Sequence, residues 1–399
     1  MKSWPLAAAA LLAGSAAAQD LRLTPLIDAR LRWEQVDQAD IPRDAEALTA
    51  RVRAGTAVDL GPWQALAETE ATLAIIEHYN SGSNGLSRYP LVVDPQNVEL
   101  NRAQLRYRAH GLTATAGRQL VELADQRWVG SSSWRQNQQT FDAARSQWGD
   151  PKRLFVDLTY AWSDRTVNGV DGVGARPTAI GGDNVFALAG AHTPAGTLTG
   201  FAYLVDQDNA AVQGFRLSSQ TYGVRLAGTR RVGPATLVYA ASWARQGDWR
   251  RNPNRYAAGY WSVEATATLD RLSLTGGHEV LGADDGRALT SVQTPLASFF
   301  RFNGWAGRFG TTPPNGLRDL YGTAALAWKK AGPFTGATLS ATWHRFRSDR
   351  LDQRYGTEWD LLAAVKRGRT ALSARYARYR AVDLAIDTDK AWLEADWGF

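Results

Sequence analysis

Apolar and polar side chains alternate one by one through much of this chain. After Asp20 there is no apolar run of the roughly 18 or more residues that a membrane helix needs. At the C-terminus Leu393 and Ala395 share one face, while Glu394 and Asp396 share the other. A period of two places successive side chains on opposite faces of a β-strand. If the chain meets a membrane, this pattern requires that it does so as strands.

The same alternation recurs in segments upstream. They are residues 27–34, 154–162, 222–226, 237–243, 320–328 and 359–366. One face of each segment suits lipid and the other suits water, and the aromatic residues tend to fall near the segment ends, where an interfacial girdle requires them. Aromatic residues are plentiful, at 16 Trp, 13 Tyr and 12 Phe, although the mean hydropathy is -0.33. A barrel with an apolar outer face and a polar lumen accounts for both observations.

The connections between these segments alternate in length. Short turns of Gly, Pro and Asp separate longer polar stretches, and the pattern contains eight short turns and nine long loops. This arrangement predicts an all-β fold, a transmembrane antiparallel barrel of about 18 strands with short periplasmic turns and long extracellular loops. The count depends on a strand near residues 139–148, whose own pattern is the weakest. A barrel of this size is wide enough for an aqueous channel unless loops fill it.

The two ends of the chain carry signals for export and membrane assembly. Residues 1–18 combine a basic start at Lys2, an apolar core and a small-residue cleavage site, which predicts a Sec signal peptide rather than a short N-terminal helix. Cleavage would leave residues 19–399 as the mature barrel. The final strand ends in Phe399 and resembles the signature by which bacterial outer-membrane barrels meet their assembly machinery, although an ordinary amphipathic edge strand is the alternative. We therefore expect a Gram-negative outer-membrane location.

Charge and composition limit the possible functions. The 45 basic and 39 acidic residues give a net charge of +6, which favours nucleic acid, a membrane surface or an acidic substrate as partner. The export signal argues against nucleic acid. The absence of cysteine excludes thiol chemistry and disulfides. The five histidines lack zinc-pair spacing, and neither a Gly-x-Ser-x-Gly elbow nor a phosphate loop occurs, so we predict no catalytic residue, metal or cofactor.

Arginine dominates the predicted lumen face of the early strands. The positions are Arg30, Arg32, Arg51, Arg53, Arg102 and Arg106. Because a guanidinium binds carboxylates through two hydrogen bonds and keeps its charge, a lumen lined in this way would attract anions. The alternative is that each arginine pairs with a wall carboxylate such as Glu68 or Glu70 and contributes only to the wall.

The stretch between residues 117 and 143 is also rich in arginine, amide and indole side chains. It reads as an outgoing strand, a long loop over residues 120–138 and a returning strand. Guanidinium groups suit carboxylates, indoles suit sugar faces and amides suit hydroxyls, so the loop favours carbohydrate binding. The candidates in it are Arg127, Trp134, Arg135, Gln136 and Asn137. The alternative is an extracellular loop that packs on the barrel wall.

Three motifs in this stretch resemble those of the alginate export family. They are Gly117-Arg118-Gln119, the run Gln126-Arg127-Trp128-Val129-Gly130, and the run from Trp134-Arg135-Gln136-Asn137 through Asp142. The resemblance implies an eighteen-stranded monomeric barrel with an arginine-lined constriction for an acidic polysaccharide. It also implies that Arg118, Arg127 and Arg135 shape or gate the pathway, with Gln119 and Asp142 beside them.

Taken together, the sequence predicts an outer-membrane channel for passive, anion-selective passage of an alginate-like polysaccharide or oligosaccharide. Passage would follow a gradient or depend on a periplasmic partner, because no energy-coupling motif occurs. The alternatives are a general or small-organic-anion porin, an outer-membrane barrel enzyme of lipase or protease type, and a structural or adhesive barrel.

Overall fold

A single closed sheet of eighteen antiparallel strands forms the protein, in a computed structural model that describes residues 21–398. The strands are β1 (Arg22–Gln38), β2 (Ala45–Leu60), β3 (Trp63–His78), β4 (Asn97–Ala109), β5 (Leu112–Gln119), β6 (Thr140–Gly149), β7 (Leu154–Arg165), β8 (Ala179–Thr193), β9 (Gly196–Val205), β10 (Ser219–Val232), β11 (Ala235–Asp248), β12 (Ala257–Leu269), β13 (Leu272–Leu281), β14 (Leu317–Trp328), β15 (Gly336–Arg347), β16 (Arg354–Arg367), β17 (Thr370–Ala381) and β18 (Thr388–Gly398). The predicted fold class and strand number are confirmed. The predicted signal peptide and Phe399 lie outside the described residues.

Each strand pairs with its neighbours in sequence, and the first strand also pairs with the last. Trp33 of β1 lies opposite Leu393 of β18, and Leu31 lies opposite Ala395. This pairing closes the barrel, so that no strand edge is left without hydrogen bonds in the membrane. The weakly patterned segment near residues 139–148 is a true strand, β6, which pairs with both β5 and β7. The even number of strands inferred from the alternation of short turns and long loops is therefore correct.

The two faces of the strands differ as the alternation predicts. On the outer face Leu31 and Leu393 are about half exposed, as residues that contact lipid should be. On the inner face Arg32 lies opposite Glu394, and both side chains are buried. The lumen wall is thus built from charged residues that have opposite-charge neighbours on adjacent strands.

Turns of two to four residues join the strands at one end of the barrel, with the single exception of residues 329–335 between β14 and β15, and connections of six residues or more join them at the other. Two of the longer loops, residues 120–139 and 282–316, contribute Val129, Leu296 and Phe309 to an apolar cluster with inward aromatic residues such as Tyr203 and Tyr379. The main hydrophobic core therefore lies inside the barrel, between loops and wall. Burial of these apolar side chains favours the inward course of both loops over a course out in solvent.

Helical structure is limited, in the described part of the chain, to two short 3-10 segments, Gly214–Leu217 and Phe299–Arg301. No helix within residues 21–398 is long and apolar enough to cross a membrane.

Candidate functional site

The loop between β5 and β6, residues 120–139, crosses the lumen, and we call it the inward loop. At one side, Gln136 Nε2 donates to Thr49 Oγ1 of β2 at 2.8 Å, and the Gln138 amide donates to Glu70 of β3 at 3.0 Å. At the other side, Arg127 Nε lies 2.8 Å from Glu279 Oε1 of β13. Strands β3 and β13 stand on nearly opposite sides of the closed sheet. The inward loop therefore spans the barrel instead of covering its mouth.

A second loop meets the inward loop inside the barrel. This is the connection between β13 and β14, residues 282–316, which we call the long loop. Val129 and Leu296 form an isolated parallel bridge, and the Gly130 amide donates to the Leu296 carbonyl at 2.9 Å. A Cβ atom at Gly130 would lie 2.3 Å from Ser298 Oγ, so only glycine permits this approach. The two loops form one partition across the lumen.

The predicted amide residues hold the inward loop in place. Gln136 and Asn137 are fully buried, and Asn137 Oδ1 accepts a hydrogen bond from Thr72 Oγ1 at 2.8 Å. Gln119 Nε2 donates to the Ala143 carbonyl at 2.9 Å and links β5 to β6. Among the described residues Gln136 Oε1 is buried without a hydrogen-bond partner, but the other contacts of these side chains are made to the protein itself, so they fix the course of the loop.

Most of the predicted arginines pair with carboxylates of the wall. Their ion pairs are Arg30 with Asp396 at 2.7 Å, Arg32 with Glu394 at 2.5 Å, Arg51 with Asp28, Arg53 with Glu70, Arg102 with Glu68 at 2.6 Å, Arg118 with Asp142 at 2.8 Å and Arg127 with Glu279 at 2.8 Å. Arg106 instead lies 3.2 Å from Thr115 Oγ1. Most of these arginines are locally neutralised, as the wall-pairing alternative expects.

Arg135 differs from the other predicted arginines because its carboxylate neighbours are more distant. Its Nη1 atom lies 3.8 Å from Glu34 and 3.9 Å from Asp94, and that atom is buried without a hydrogen-bond partner among the described residues. Arg135 also lines a cavity of about 800 Å³ between the inward loop and the long loop. We call this cavity the cationic chamber.

The cationic chamber gathers basic side chains from four separate segments of the chain. The basic residues are Arg135, Arg176, Arg301, Arg308 and Lys390, and the only carboxylate side chain on its described lining is that of Glu122. Arg176 comes from the loop between β7 and β8, Arg301 and Arg308 from the long loop, and Lys390 from β18. The chamber therefore carries an excess of positive charge inside the lumen.

The basic groups of the chamber have few partners. Within residues 21–398, the side chains of Arg176, Arg301 and Lys390 make no hydrogen bond or ion pair, whereas Arg308 Nη1 donates to Gln38 Oε1 at 2.8 Å. Burial lowers the pKa of the Arg176 guanidinium, and repulsion from Arg135 lowers it further. Burial also lowers the pKa of Arg308. The guanidinium groups of Arg176 and Arg308 are thus partly removed from water without a carboxylate partner. An anion in the chamber would therefore stabilise their charges.

Aromatic rings lie beside the basic groups. Trp134 stacks on Phe300 with ring centroids 3.6 Å apart and an angle of 9°, and Phe300 in turn stacks on Trp305 at 5.4 Å. The Arg32 guanidinium lies 4.0 Å from the centre of the Trp134 ring. All three rings of the stack line the cationic chamber. Phe300 and Arg32 cover the two faces of the Trp134 ring, so the ring edges and Trp305 at the end of the stack are the aromatic surfaces left for the apolar side of a sugar ring.

A smaller cavity of about 370 Å³ has the opposite charge, and we call it the acidic chamber. Its carboxylates are Asp125, Glu264, Glu279, Asp319 and Asp360. It shares Arg301, Phe302, Asn303 and Trp305 with the lining of the cationic chamber. The segment 301–305 of the long loop therefore lies between an anion-attracting space and a cation-attracting space.

Sequence reasoning missed four of the five basic residues of the chamber. Arg176, Arg301 and Arg308 lie in loops without periodicity, so no pattern indicated that they point inward. Lys390 was detectable, since strand parity places residues 390, 392 and 394 on the face opposite Leu393 and Ala395. Within the described residues, no group of three or more His, Asp or Glu side chains is arranged to hold a metal ion.

The fold defines the class of the protein as an outer-membrane β-barrel of the porin-like type. OpdO of Pseudomonas aeruginosa superimposes with a TM-score of 0.70 at 13% identity, over 94% of this chain and 97% of that one. OccAB4 of Acinetobacter baumannii gives 0.72 at 11% identity, over 96% and 99%. OpdK of P. aeruginosa, solved with vanillate, gives 0.68 at 12% identity, over 94% and 98%. At these identities the likeness establishes the fold.

The sequence comparison finds a match to the family that the motifs resembled, over part of the chain. Residues 24–162 match the alginate export family, which confirms that resemblance over β1 to β7 and the inward loop. A search of curated protein sequences finds no significant match. The family and the fold together support an outer-membrane channel and point to transport rather than to an enzyme.

Proposed function

We propose that the protein is a passive, anion-selective channel for acidic oligosaccharides or polysaccharides of the alginate type, with the cationic chamber as its constriction. The observation that carries this proposal is the excess of basic over acidic side chains in a space of about 800 Å³. Of the three motif arginines, Arg135 lines this space, whereas Arg118 and Arg127 pair with carboxylates. We therefore assign selectivity to the chamber residues and the shaping of the partition to Arg127.

Attraction and weak retention are both needed for passage through such a site. Uncompensated guanidinium groups lower the entry barrier for a carboxylate, because charges in a partly desolvated space interact more strongly than in water. The edges of the stacked Trp134 and Phe300 rings, together with Trp305, offer an aromatic surface along which a sugar ring can slide. The acidic chamber beyond residues 301–305 repels the same carboxylates, which limits how tightly a uronate is held, and conduction requires binding of that kind.

A small-organic-anion porin is the second candidate, and the aromatic stack is the observation that favours it. Trp134 and Phe300 lie in near-parallel contact beside Arg135. The exposed edge of this stack can contact a planar aromatic carboxylate as well as a uronate. One structural neighbour, OpdK, has been solved with vanillate, which is such a carboxylate.

Reversal potentials in planar bilayers under a KCl gradient test the proposed selectivity. Combined replacement of Arg176, Arg301 and Arg308 by glutamine should shift the permeability ratio from anions toward cations, because the acidic chamber is left in place. The matched control replaces Arg250, Arg251 and Arg287, which are exposed arginines outside the chamber lining that each pair with an aspartate. An unchanged ratio in the chamber variant would remove the proposed role of these residues.

Current block separates the two candidate substrates. Oligouronates should block the open channel, while neutral oligosaccharides of equal length should not, if the chamber recognises acidic sugars. Block by vanillate together with indifference to both oligosaccharides would favour the second candidate instead.

A further inference from the structure

The short-turn end of the barrel carries an excess of positive charge. We compare the charged residues of the turns at this end, of the two strand residues next to each turn and of the start of β1. Within residues 21–398, the carboxylates of this region are Asp59, Asp150 and Asp270. The basic residues of the same region are Arg22, Arg108, Lys152, Arg153, Arg231, Arg271, Lys329, Lys330, Lys366, Arg367 and Arg369. Because short turns of such barrels lie in the periplasm, the protein presents a basic surface on that side.

Three of these basic residues face the lumen at its periplasmic opening. They are Arg108 in β4, Arg231 in β10 and Lys366 in β16, and each is the second-last residue of its strand. The outer face of the same three strands carries Leu105, Val224 and Leu361, which are each about half exposed. Each basic residue is an odd number of positions from the apolar one, so strand alternation turns it to the lumen. We call these three residues the mouth ring.

The mouth ring is evenly distributed around the barrel. Its strands β4, β10 and β16 are six strands apart in the closed sheet of eighteen. An anionic chain that approaches the opening from any side therefore comes near one of the three charges. On β4 the basic surface continues inward, because Arg106 lies on the same face as Arg108 and donates to Thr115 Oγ1 rather than to a carboxylate.

The charges of the mouth ring are not neutralised by neighbouring groups. Within residues 21–398, the side chains of Arg108, Arg231 and Lys366 make no ion pair or hydrogen bond, and all three are exposed. Asp59 also has lumen parity at this end, but its Oδ1 atom accepts a hydrogen bond from Gln64 Nε2 at 2.8 Å. The ring therefore keeps three positive charges that a ligand in the periplasm can reach.

The extracellular end of the barrel has a different charge pattern. Exposed or partly exposed arginines at that end form ion pairs with aspartates, namely Arg250 with Asp183, Arg251 with Asp208, Arg287 with Asp285, Arg347 with Asp352 and Arg380 with Asp389. Paired charges of opposite sign produce little field at a distance. A polyanion is therefore attracted to the periplasmic opening more strongly than to the extracellular one.

We propose that the mouth ring is a capture site for an acidic polysaccharide in the periplasm, separate from the cationic chamber. This inference rests on the proposed function, because it assumes the same class of ligand. The three side chains point into the lumen and not toward the lipid around the barrel, which favours a ligand that enters the pore over a phospholipid. Exposed charges of this kind raise the rate of association more than the affinity. The ring thus accelerates loading, and the chamber selects what passes.

Current block by an oligomannuronate of uniform length, added to one side of an oriented membrane, measures this capture. The chain has no cysteine, so an impermeant thiol reagent that reacts with Val173→Cys, in the exposed loop between β7 and β8, identifies the extracellular side. Replacement of Arg108, Arg231 and Lys366 by glutamine should lower the on-rate of block from the periplasmic side about tenfold, at the lower end of the range for electrostatic steering. The on-rate from the extracellular side and the duration of each block should be nearly unchanged.

Two sequence neighbours of the ring provide a matched control. Arg230 and Arg367 are exposed and lie at the same end of the same strands as Arg231 and Lys366, but alternation turns them to the outer face. Arg231→Gln with Lys366→Gln should lower the periplasmic on-rate about fivefold, whereas Arg230→Gln with Arg367→Gln should leave it nearly unchanged. The double variants also provide the comparison if the triple variant does not assemble, and the heat-dependent gel shift of the closed barrel checks the folding of each.

Two results would overturn the proposal. One is an equal loss in the two double variants, which would indicate a general effect of charge. The other is an unchanged periplasmic on-rate in the ring variants, which would favour an acidic periplasmic protein as the ligand of the ring.

Binding of the same oligomannuronate, carrying a fluorescent label, to the detergent-solubilised barrel separates this proposal from the proposed function. If the oligomer blocks no channel from either side, the proposed function is wrong. In that case weaker binding to the ring variant than to the Arg230 and Arg367 control still supports the mouth ring, and equal binding overturns it.

Discussion

Replacement of Arg127 by methionine should release the inward loop from the opposite wall of the barrel. The Arg127 side chain is 2% exposed, and its Nη2 atom donates to Asn303 Oδ1 at 2.9 Å. Its Nε atom is within ion-pair distance of Glu279, at an angle outside hydrogen-bond geometry. The guanidinium also lies 4.8 Å from the centre of the Phe302 ring. One side chain thus connects the inward loop, the long loop and β13.

The expected extent of loop release follows from the burial of the ion pair between Arg127 and Glu279. Removing one partner of a buried ion pair costs about 3–5 kcal/mol, because the other charge is left buried and unpaired. Here the charge left behind is Glu279, which is itself buried. If the whole cost destabilises the bound position of the inward loop relative to a released one, the ratio of released to bound loop rises by roughly a hundredfold or more. The barrel wall is not part of this equilibrium and should remain folded.

Hydrogen exchange measured by mass spectrometry reports this opening directly. In the attached state the Gly130 amide donates to the Leu296 carbonyl, so peptides covering residues 120–139 should exchange about a hundredfold faster in the variant. Arg225→Met in β10 is the control, because its partner Asp125 belongs to the same loop. Arg225 pairs with Asp125 at 3.0 Å, but both side chains are partly exposed, so acceleration of about fivefold or less is expected. Equal acceleration in the two variants would refute the argument from burial.

Three further predictions concern the long loop, the wall and the solvent. Gly304→Ala should loosen the long loop, because Gly304 has a φ of +81° and a Cβ atom there would lie 2.4 Å from Glu358 Oε2; faster hydrogen exchange over residues 299–310 would show it. Arg118→Gln should leave the anion-to-cation permeability ratio nearly unchanged, because neither Arg118 nor Asp142 lines the cationic chamber and their partly exposed charges are screened by solvent; a large shift in reversal potential would contradict this. The anion preference of the unmodified channel should weaken as KCl rises, since the screening length falls from about 10 Å at 0.1 M to about 3 Å at 1 M; a salt-independent ratio would exclude an electrostatic origin.

The fold could be predicted from sequence because the membrane imposes regular rules on strands. Leu393 and Ala395 face lipid and Glu394 faces the lumen, so a period of two is visible in the residues themselves. Where the pattern was weak, in β6, the alternation of short turns and long loops still required a strand, and the structure has one. Because a closed barrel of this type has an even number of strands, joined alternately by short turns and longer loops, counting the connections gives the number of strands.

The candidate site was only partly predictable, for a physical reason. The sequence placed a constriction at residues 117–143, and the inward loop does lie within the lumen. However, whether an arginine is neutralised depends on residues far along the chain, as for Arg127 and Glu279, and no local pattern reveals such a partner. Likewise Arg301 and Arg308 reach the chamber only because the long loop packs against the inward loop at Leu296.

The pairing of β1 with β18 also determines how the protein can be made. Arg30 and Asp396 form an ion pair although 366 positions separate them, so the first strand waits for its final neighbour until almost the whole chain has been synthesised. Before that moment the nascent sheet has two open edges, and unpaired backbone groups are costly in lipid. Contacts between such distant segments also make folding intrinsically slow. A chain that stops before residue 388 would therefore give an open, aggregation-prone sheet and not a smaller pore.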